Sequence, residues 1–348
     1  MTRFRFFLPV LVLLFAMPCA ALAEPTVFVS IVPQQYFVEK IAGDAVTSQP
    51  MVLPGQSPAT YEPSPRQMAA LSEAAAYLAI GVPFERAWLP RFREASPGLR
   101  IVHVDEGIQK RAMVAHHHHG EEHHHHEAHA EEDHHAHGHE HGAAAHGHEH
   151  DAHGHDHDAH KHDAHDHDAH AEAHAKAPAA HGHTGLDPHV WLAPEPAKVI
   201  ARNTFDALAA IFPDKEAQFR ANLDAFLAEI DSLDARIREI LTPIPPEKRR
   251  FLVFHPSWGY FADAFDLEQL PIEVEGKEPG PAELARIVKR ARDEGIAVVF
   301  VQPQFSATSA QVAAREIGGR VEKLDPLAED WADNLERAAA AFQKALAD

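Results

Sequence analysis

Apolar positions along the chain switch repeatedly between two periods. Residues 26–32, largely apolar and of strand length, read as a buried strand, 36–42 as a helix closed by Gly43, and 46–53 as a strand ending at Pro54-Gly55. Ser64-Pro65 supplies an N-cap and a proline at the first helical position for a helix to residue 75. Strand 76–80, helix 85–94 and strand 100–104 follow. This βαβα order predicts parallel strands linked by crossover helices.

From residue 194 the pattern turns helical, over 194–212 and 214–241, with a break at Pro213. The second stretch carries Phe219, Leu223, Phe226, Leu227, Ile230, Leu233, Ile237 and Leu241 at spacings of three and four, which is one apolar stripe on a single long helix. Pro243, Pro245 and Pro246 end it. Alternation then resumes, with strands at 251–254, 272–274, 296–301 and 320–324 and helices at 282–294, 309–317 and 331–346. The expected fold class is α/β, two halves joined by a long helix. The divisions are a signal peptide at 1–23, an N-terminal half at 24–213, the linking helix at 214–242 and a C-terminal half at 243–348.

Composition changes the picture at 116–183. Those residues hold 28 of the 31 histidines and 15 Asp or Glu, with only two Lys, and their apolar content is almost all Ala. Such a segment buries too little to offset its ordering entropy, so it is expected to be a disordered insertion in the N-terminal half. Repeats of the form His-Gly-His and His-Asp-Ala-His present imidazole every two or three residues, which suits divalent metal. A purification tag would be a short run at a terminus. The tract also supplies -13 of the formal charge of -21, which leaves the remainder only mildly acidic. That argues against nucleic acid as a partner and gives no basic face for a membrane surface.

Arg3 and Arg5, the apolar run 6–17 and Ala21-Leu22-Ala23 before Glu24 read as a secretory signal, too short in its apolar run to span a membrane. The lone cysteine, Cys19, lies within it, and the preceding Met17-Pro18 fits a lipoprotein signal poorly, so no direct membrane anchor is expected. The mature chain then lacks cysteine. Metal would be bound by imidazole and carboxylate alone.

Three histidines lie outside the tract: His103, His189 and His255. His103 alternates with Val102 and Val104 in a strand and reads as a half-exposed packing residue. His255 follows strand 251–254, Asp325 follows strand 320–324, and His189 lies in a loop ahead of a helix. In open parallel sheets ligands bind beyond the carboxyl ends of strands. Two imidazoles and a carboxylate from separate segments suffice as the first ligands of Zn²⁺. A lone histidine after a strand is commonly just hydrogen-bonded, and Asp325-Pro326 is commonly a turn. On spacing alone both readings stand.

Pro54-Gly55-Gln56-Ser57-Pro58, Tyr61-Glu62-Pro63-Ser64-Pro65, Asp187-Pro188-His189-Val190-Trp191-Leu192, His255-Pro256 with Tyr260-Phe261, Phe300-Val301-Gln302-Pro303-Gln304 and Leu324-Asp325-Pro326-Leu327 resemble the metal-specific solute-binding proteins of ABC importers (cluster A-I). The His-rich insertion resembles the zinc-uptake, ZnuA-like branch. The resemblance covers the mature chain in order. It implies two α/β lobes with parallel sheets bridged by a long rigid helix, a metal cleft between them, and His189, His255 and Asp325 as metal ligands. Histidine at 255 is similar to the zinc branch rather than the manganese branch, in keeping with imidazole's preference for zinc.

The sequence departs from that pattern where the family has its first histidine ligand, between Pro58 and Tyr61, because Ala59-Thr60 stand there. Gln302 stands where many relatives carry an acid. The fourth ligand is then water, Glu62, or a tract histidine such as His181 or His183. The function implied is periplasmic capture of Zn²⁺, as transported ligand, for an ABC importer membrane permease, by a monomer that catalyses nothing. The tract, beginning with His116, His117, His118, His119, His123, His124, His125 and His126, would be a low-affinity collector. Alternatives are a periplasmic metal buffer or chaperone without a dedicated permease, the same transport role for Mn²⁺ or Ni²⁺, and a hydrolytic zinc site.

Overall fold

The computed structural model describes residues 25–113, 185–274 and 276–347. The signal peptide expected at 1–23 and the collector tract at 116–183 lie outside the described residues.

Two four-stranded sheets organise the chain. The first contains β1 (Thr26–Val29), β2 (Thr47–Pro50), β3 (Ala76–Ala79) and β4 (Arg100–His103) in the order β2-β1-β3-β4. The second contains β5 (Arg250–Val253), β6 (Glu268–Pro271), β7 (Val298–Val301) and β8 (Arg320–Lys323) in the order β6-β5-β7-β8. Every pairing is parallel, as the alternating pattern predicts. The central strands β3 and β7 are buried throughout, whereas the edge strands β2, β4 and β8 are exposed at alternate or terminal positions.

Crossovers within the sheets are made by α1 (Pro33–Ala42), α2 (Pro65–Leu71), α3 (Glu85–Ala95), α6 (Gly259–Ala264), α7 (Pro281–Asp293) and α8 (Thr308–Glu316). Between the sheets run α4 (Pro194–Ile211) and α5 (Glu216–Leu241), and α9 (Trp331–Leu346) closes the chain. The 26 residues of α5 make it about 39 Å long. Its buried residues are Phe219, Leu223, Phe226, Ile230, Leu233, Ile237 and Leu241, the stripe read from the sequence, while Leu227 is half-buried.

That stripe joins the two sheets in one core. The Phe226 ring lies 5.3 Å from Phe37 of α1, and Trp331 of α9 lies 5.0 Å from Phe37 and 6.2 Å from Phe226. Val27 and Phe28 of the first sheet and Phe251 and Val253 of the second belong to this core. A smaller one, with Leu252, Ile287, Val288 and Val299, lies under α7 and α8 on the outer face of the second sheet.

Several boundaries differ from the sequence reading. Helix α2 has the expected Ser64 cap, completed by a reciprocal bond from Gln67. It stops at Leu71, however, because the Ala75 amide already donates to Thr26 in the sheet. Helix α1 begins at Pro33, ahead of the apolar stretch. The strand expected at 272–274 is instead β6, whose partly polar segment Glu-Gln-Leu-Pro hides it from a hydrophobicity pattern. Helix α6 was hidden for a related reason: at 6 residues it is too short to show a period. His103 ends β4 with an exposed side chain, 3.9 Å from Asp105.

In both sheets the strand order reverses after the first parallel pair, between β1 and β3 and between β5 and β7. Loops leaving such neighbours diverge and open a crevice at the carboxyl ends. His255 stands there, just past β5.

Candidate metal centre

His255 leaves β5 at this reversal in the second sheet. Gln302, just beyond β7, spans the gap: its Oε1 accepts from the His255 amide at 3.2 Å, and its Nε2 donates to the His255 carbonyl at 2.5 Å and to Ser257 Oγ at 2.9 Å. The imidazole is held separately. Its Nδ1 lies 2.7 Å from Glu273 Oε1, and its ring stacks on Phe305 at 4.8 Å. A carboxylate accepts, so Nδ1 is the donating nitrogen and Nε2 is the one left for a metal.

His189 repeats the arrangement. Asp187 Oδ1 accepts from the His189 amide at 3.0 Å and from its Nδ1 at 2.8 Å, and Asp187 is fully buried. Burial lowers the His189 pKa from its ordinary value, and the nearby His255 adds to this, while the bond and charge of Asp187 oppose it. The ring is therefore neutral, the form that binds metal.

The two imidazoles meet with ring centroids 5.2 Å apart at an interplanar angle of 69°. They line a cavity of about 70 Å³ with Pro58, Ala59, Val82, Pro83, Met113, Gln304, Phe305, Pro326 and Leu327 among its other walls. Val82 and Pro83 are placed by the buried Glu85, which accepts from the Ile80 and Gly81 amides at 2.9 Å each and from Ser30 Oγ at 2.5 Å.

Asp325 stands behind this wall rather than on it. Its Oδ1 accepts from Gln304 Nε2 and from the Leu327 amide, both at 2.9 Å. Trp191 and Trp331 tie its loop to the His189 loop, since the Trp191 indole N–H donates to Pro326 O at 2.7 Å and that of Trp331 to Trp191 O at 2.7 Å. Among the described residues, no three His, Cys, Asp or Glu side chains come together in a group that could hold a metal ion. The structure thus brings His189 and His255 together and leaves the Asp325 carboxylate outside their group. Glu62 is exposed and does not line the cavity, and His181 and His183 lie outside the described residues.

Two carboxylates behind the imidazoles went unrecognised in the sequence. Asp187 was visible as part of a motif but not as the partner of its neighbour two residues on. Glu273 was masked by the misplaced strand at 272–274. With the strand ending at Pro271, an acid just past a carboxyl end was the available signal.

Beside the cavity, the residues flanking the tract pair with each other. Ala112 and Leu186 form an antiparallel bridge, Met113 N donates to Gly185 O at 3.1 Å, and Asp187 N donates to Arg111 O at 2.8 Å. Tyr260 OH donates to the Asp187 carbonyl at 3.0 Å while accepting from the Arg111 amide at 3.1 Å, and Arg111 reaches Asp263 at 3.2 Å. Gly259 lies beneath this junction, where a Cβ would come within 2.9 Å of Asp187 Oδ2 and collide with the Arg111 guanidinium.

A family model described as the zinc-uptake complex component A, periplasmic (ZnuA), matches residues 27–345. The chain belongs to this family. The zinc-binding lipoprotein AdcA of Streptococcus pneumoniae (strain ATCC BAA-255 / R6) is 24% identical over 297 residues, covering 85% of this chain and 48% of AdcA. The high-affinity zinc uptake system protein ZnuA of Bacillus subtilis (strain 168) is 31% identical over 144 residues, covering 41% of this chain and 44% of that protein. The chain spans about half the length of these curated relatives. A crystal structure of ZnuA superposes with a TM-score of 0.71 at 35% identity, covering 92% of this chain and 99% of the other. A zinc-bound deletion mutant of ZnuA gives 0.70, also at 35% identity, over 93% and 98%. A manganese-bound periplasmic metal binding protein from Candidatus Liberibacter asiaticus, at 16% identity and a TM-score of 0.67, is alike in fold.

Proposed function

We propose that this protein captures Zn²⁺ in the cell envelope, in a periplasm, and delivers it to the membrane permease of an ABC importer. The observation that carries the reading is the pair of imidazoles at the reversal point, each with Nδ1 engaged by a buried carboxylate. That arrangement fixes the tautomer, aims basicity at Nε2 and leaves two nitrogen donors in one small cavity. Membership of the zinc-uptake family supports the cargo and the transport role, as do relatives named for binding zinc. No helix among the described residues is long and apolar enough to cross a membrane.

His189 and His255 hold the ion. Asp325, whose loop is tied to the His189 loop through Trp191 and Pro326, is the further carboxylate ligand of this reading. Nitrogen ligands favour zinc over manganese, which prefers oxygen. The 116–183 tract acts as a collector whose many weak sites raise the local metal concentration beside the cavity. Calorimetric titration of the metal-free protein with Zn²⁺ tests the reading against the His255→Ala variant. One tight site present in the native chain and absent from the variant is expected; indistinguishable curves would overturn it.

A further inference from the structure

Asp187 holds His189 with one oxygen and leaves the other unmet. Its Oδ1 takes both the amide and the Nδ1 of His189, whereas Oδ2 is buried and has no hydrogen-bond partner, in a side chain with no exposure at all. A buried carboxylate is costly unless a positive charge or donors face it. An oxygen sealed from solvent can be met only by a group of the protein itself.

Arg111 is such a group. Its Nε and Nη1 are buried without hydrogen-bond partners, and the carboxylate with which Nη1 pairs at 3.2 Å, that of Asp263, is 62% exposed and already solvated. Gly259, the first residue of α6, lies between the two buried charges. A Cβ there would collide with Arg111 Nη1 and come within 2.9 Å of Asp187 Oδ2, so guanidinium and unmet oxygen border the same small space, and no side chain at 259 separates them. At that range, in an interior poor in water, opposite charges interact strongly.

The main chain fixes this juxtaposition. The Arg111 carbonyl accepts from the Asp187 amide at 2.8 Å, the Arg111 amide donates to Tyr260 OH at 3.1 Å, and that hydroxyl donates to the Asp187 carbonyl at 3.0 Å. Tyr260 and Asp263 both belong to α6, which begins just after the His255 loop. These main-chain bonds survive any change of the Arg111 side chain, so the role of the guanidinium can be tested apart from them.

We infer that Arg111 is the counter-ion of Asp187 and a positioning residue of the metal centre, acting through that carboxylate on His189. This rests on the reading of the cleft as the receptor site. The guanidinium stabilises the Asp187 carboxylate where water cannot reach it. By attracting Oδ2 toward α6 it also keeps Oδ1 on the imidazole Nδ1, which leaves Nε2 for the metal. Asp263 shares the guanidinium at the surface, and the bare α-carbon of Gly259 keeps the path between the buried charges open.

The test is calorimetric zinc titration of the full-length native, Arg111→Gln, Arg111→Lys, Asp187→Asn and doubly substituted Arg111→Gln/Asp187→Asn proteins, with His255→Ala defining what the tract binds alone. Arg111→Gln is expected to weaken the tight site about three- to tenfold, less than the roughly ten- to hundredfold typical of a group bonded directly to a ligand. Arg111→Lys, which keeps the charge, is expected to recover most of the loss. With Asp187→Asn already present there is no carboxylate to compensate, and Arg111→Gln is expected to cost under about twofold more. In the metal-free protein, nitrogen NMR of the His189 ring, assigned by its loss in His189→Gln, is expected to show Nδ1–H in the native chain and a mixture of tautomers in Arg111→Gln. Unchanged affinity and tautomer in Arg111→Gln, an equal loss in both backgrounds, or a lysine variant as weak as the glutamine one each overturns the inference, because Arg111 then only braces the fold. If the native and His255→Ala titrations coincide, there is no tight cleft site, and the receptor reading itself fails.

Discussion

Glu273 touches no metal in this account, yet its loss should be felt at the metal. It is 7% exposed, and its Oε1 lies 2.7 Å from His255 Nδ1. Glu273→Gln keeps the shape and an acceptor oxygen for the ring N–H but removes the charge. Exchanging a charge-assisted hydrogen bond for a neutral one forfeits about 1 kcal/mol. The ring nitrogen that faces the metal also becomes less basic, and changes of this kind behind a ligand typically cost tenfold to a hundredfold in affinity, about 1.4–2.8 kcal/mol. The measurement is zinc titration calorimetry on native and Glu273→Gln proteins, with His255→Ala defining what the tract binds alone. Glu273→Leu should lose more, because the ring N–H is then buried with no acceptor. Melting of the metal-free Glu273→Gln protein should shift by only a few degrees, about what 1 kcal/mol produces in a protein of this size. Tight-site affinity within twofold of native would refute the argument that the carboxylate tunes the imidazole.

Other parts of the structure make separate claims. Burial lowers the His189 pKa, so the unfolded chain binds more protons at this position as pH falls through about 6.5, and the metal-free protein loses stability there. Urea unfolding from pH 7.5 to 5.5 should show a smaller loss in His189→Gln than in native protein, and parallel losses would contradict this. Trp191→Phe removes the bond to the Pro326 carbonyl at a side chain 1% exposed and should cost roughly 2–4 kcal/mol in unfolding; a cost below 1 kcal/mol would mean the indole does not tie the two loops. Phe226→Ala on α5, which contacts the Tyr36, Phe37 and Trp331 rings, should cost about 3–5 kcal/mol in the same assay, whereas a loss confined to a separate, partial transition would show that the two sheets do not share a core. Deleting 116–183 should remove most weakly bound zinc from a calorimetric titration and leave the tight site, and loss of the tight site would place its donors in the tract.

What the sequence revealed follows from how far each signal reaches along the chain. The long helix was plain because its stripe repeats through Phe219, Phe226, Leu233 and Leu241, and the parallel sheets because β1, β3, β5 and β7 are apolar runs between helical patterns. Edge strand β6 was not, since Glu268 and Gln269 break its apolar run and Arg250 pairs with Glu268 across the sheet. His189 and His255 were candidates by their places in loops and were singled out as ligands by the family resemblance, and the structure puts their rings 5.2 Å apart. Their carboxylate partners were harder. Asp187 acts on a residue two positions on, which a motif shows but does not explain. Glu273 reaches His255 from just past the neighbouring strand, a contact set by the parallel register of β5 and β6 and by nothing local. Ala59 was legible as a departure, and its consequence became concrete only with a cavity wall that offers no ligand.

The central claim is that one zinc ion sits between His189 and His255. Anomalous diffraction at the zinc edge, on crystals of the zinc-loaded protein, tests it most directly. The account predicts a peak about 2.0–2.1 Å from Nε2 of both imidazoles, with Nδ1 of each still on its carboxylate. A peak bound only by residues of the 116–183 tract, with none between the two rings, would contradict it.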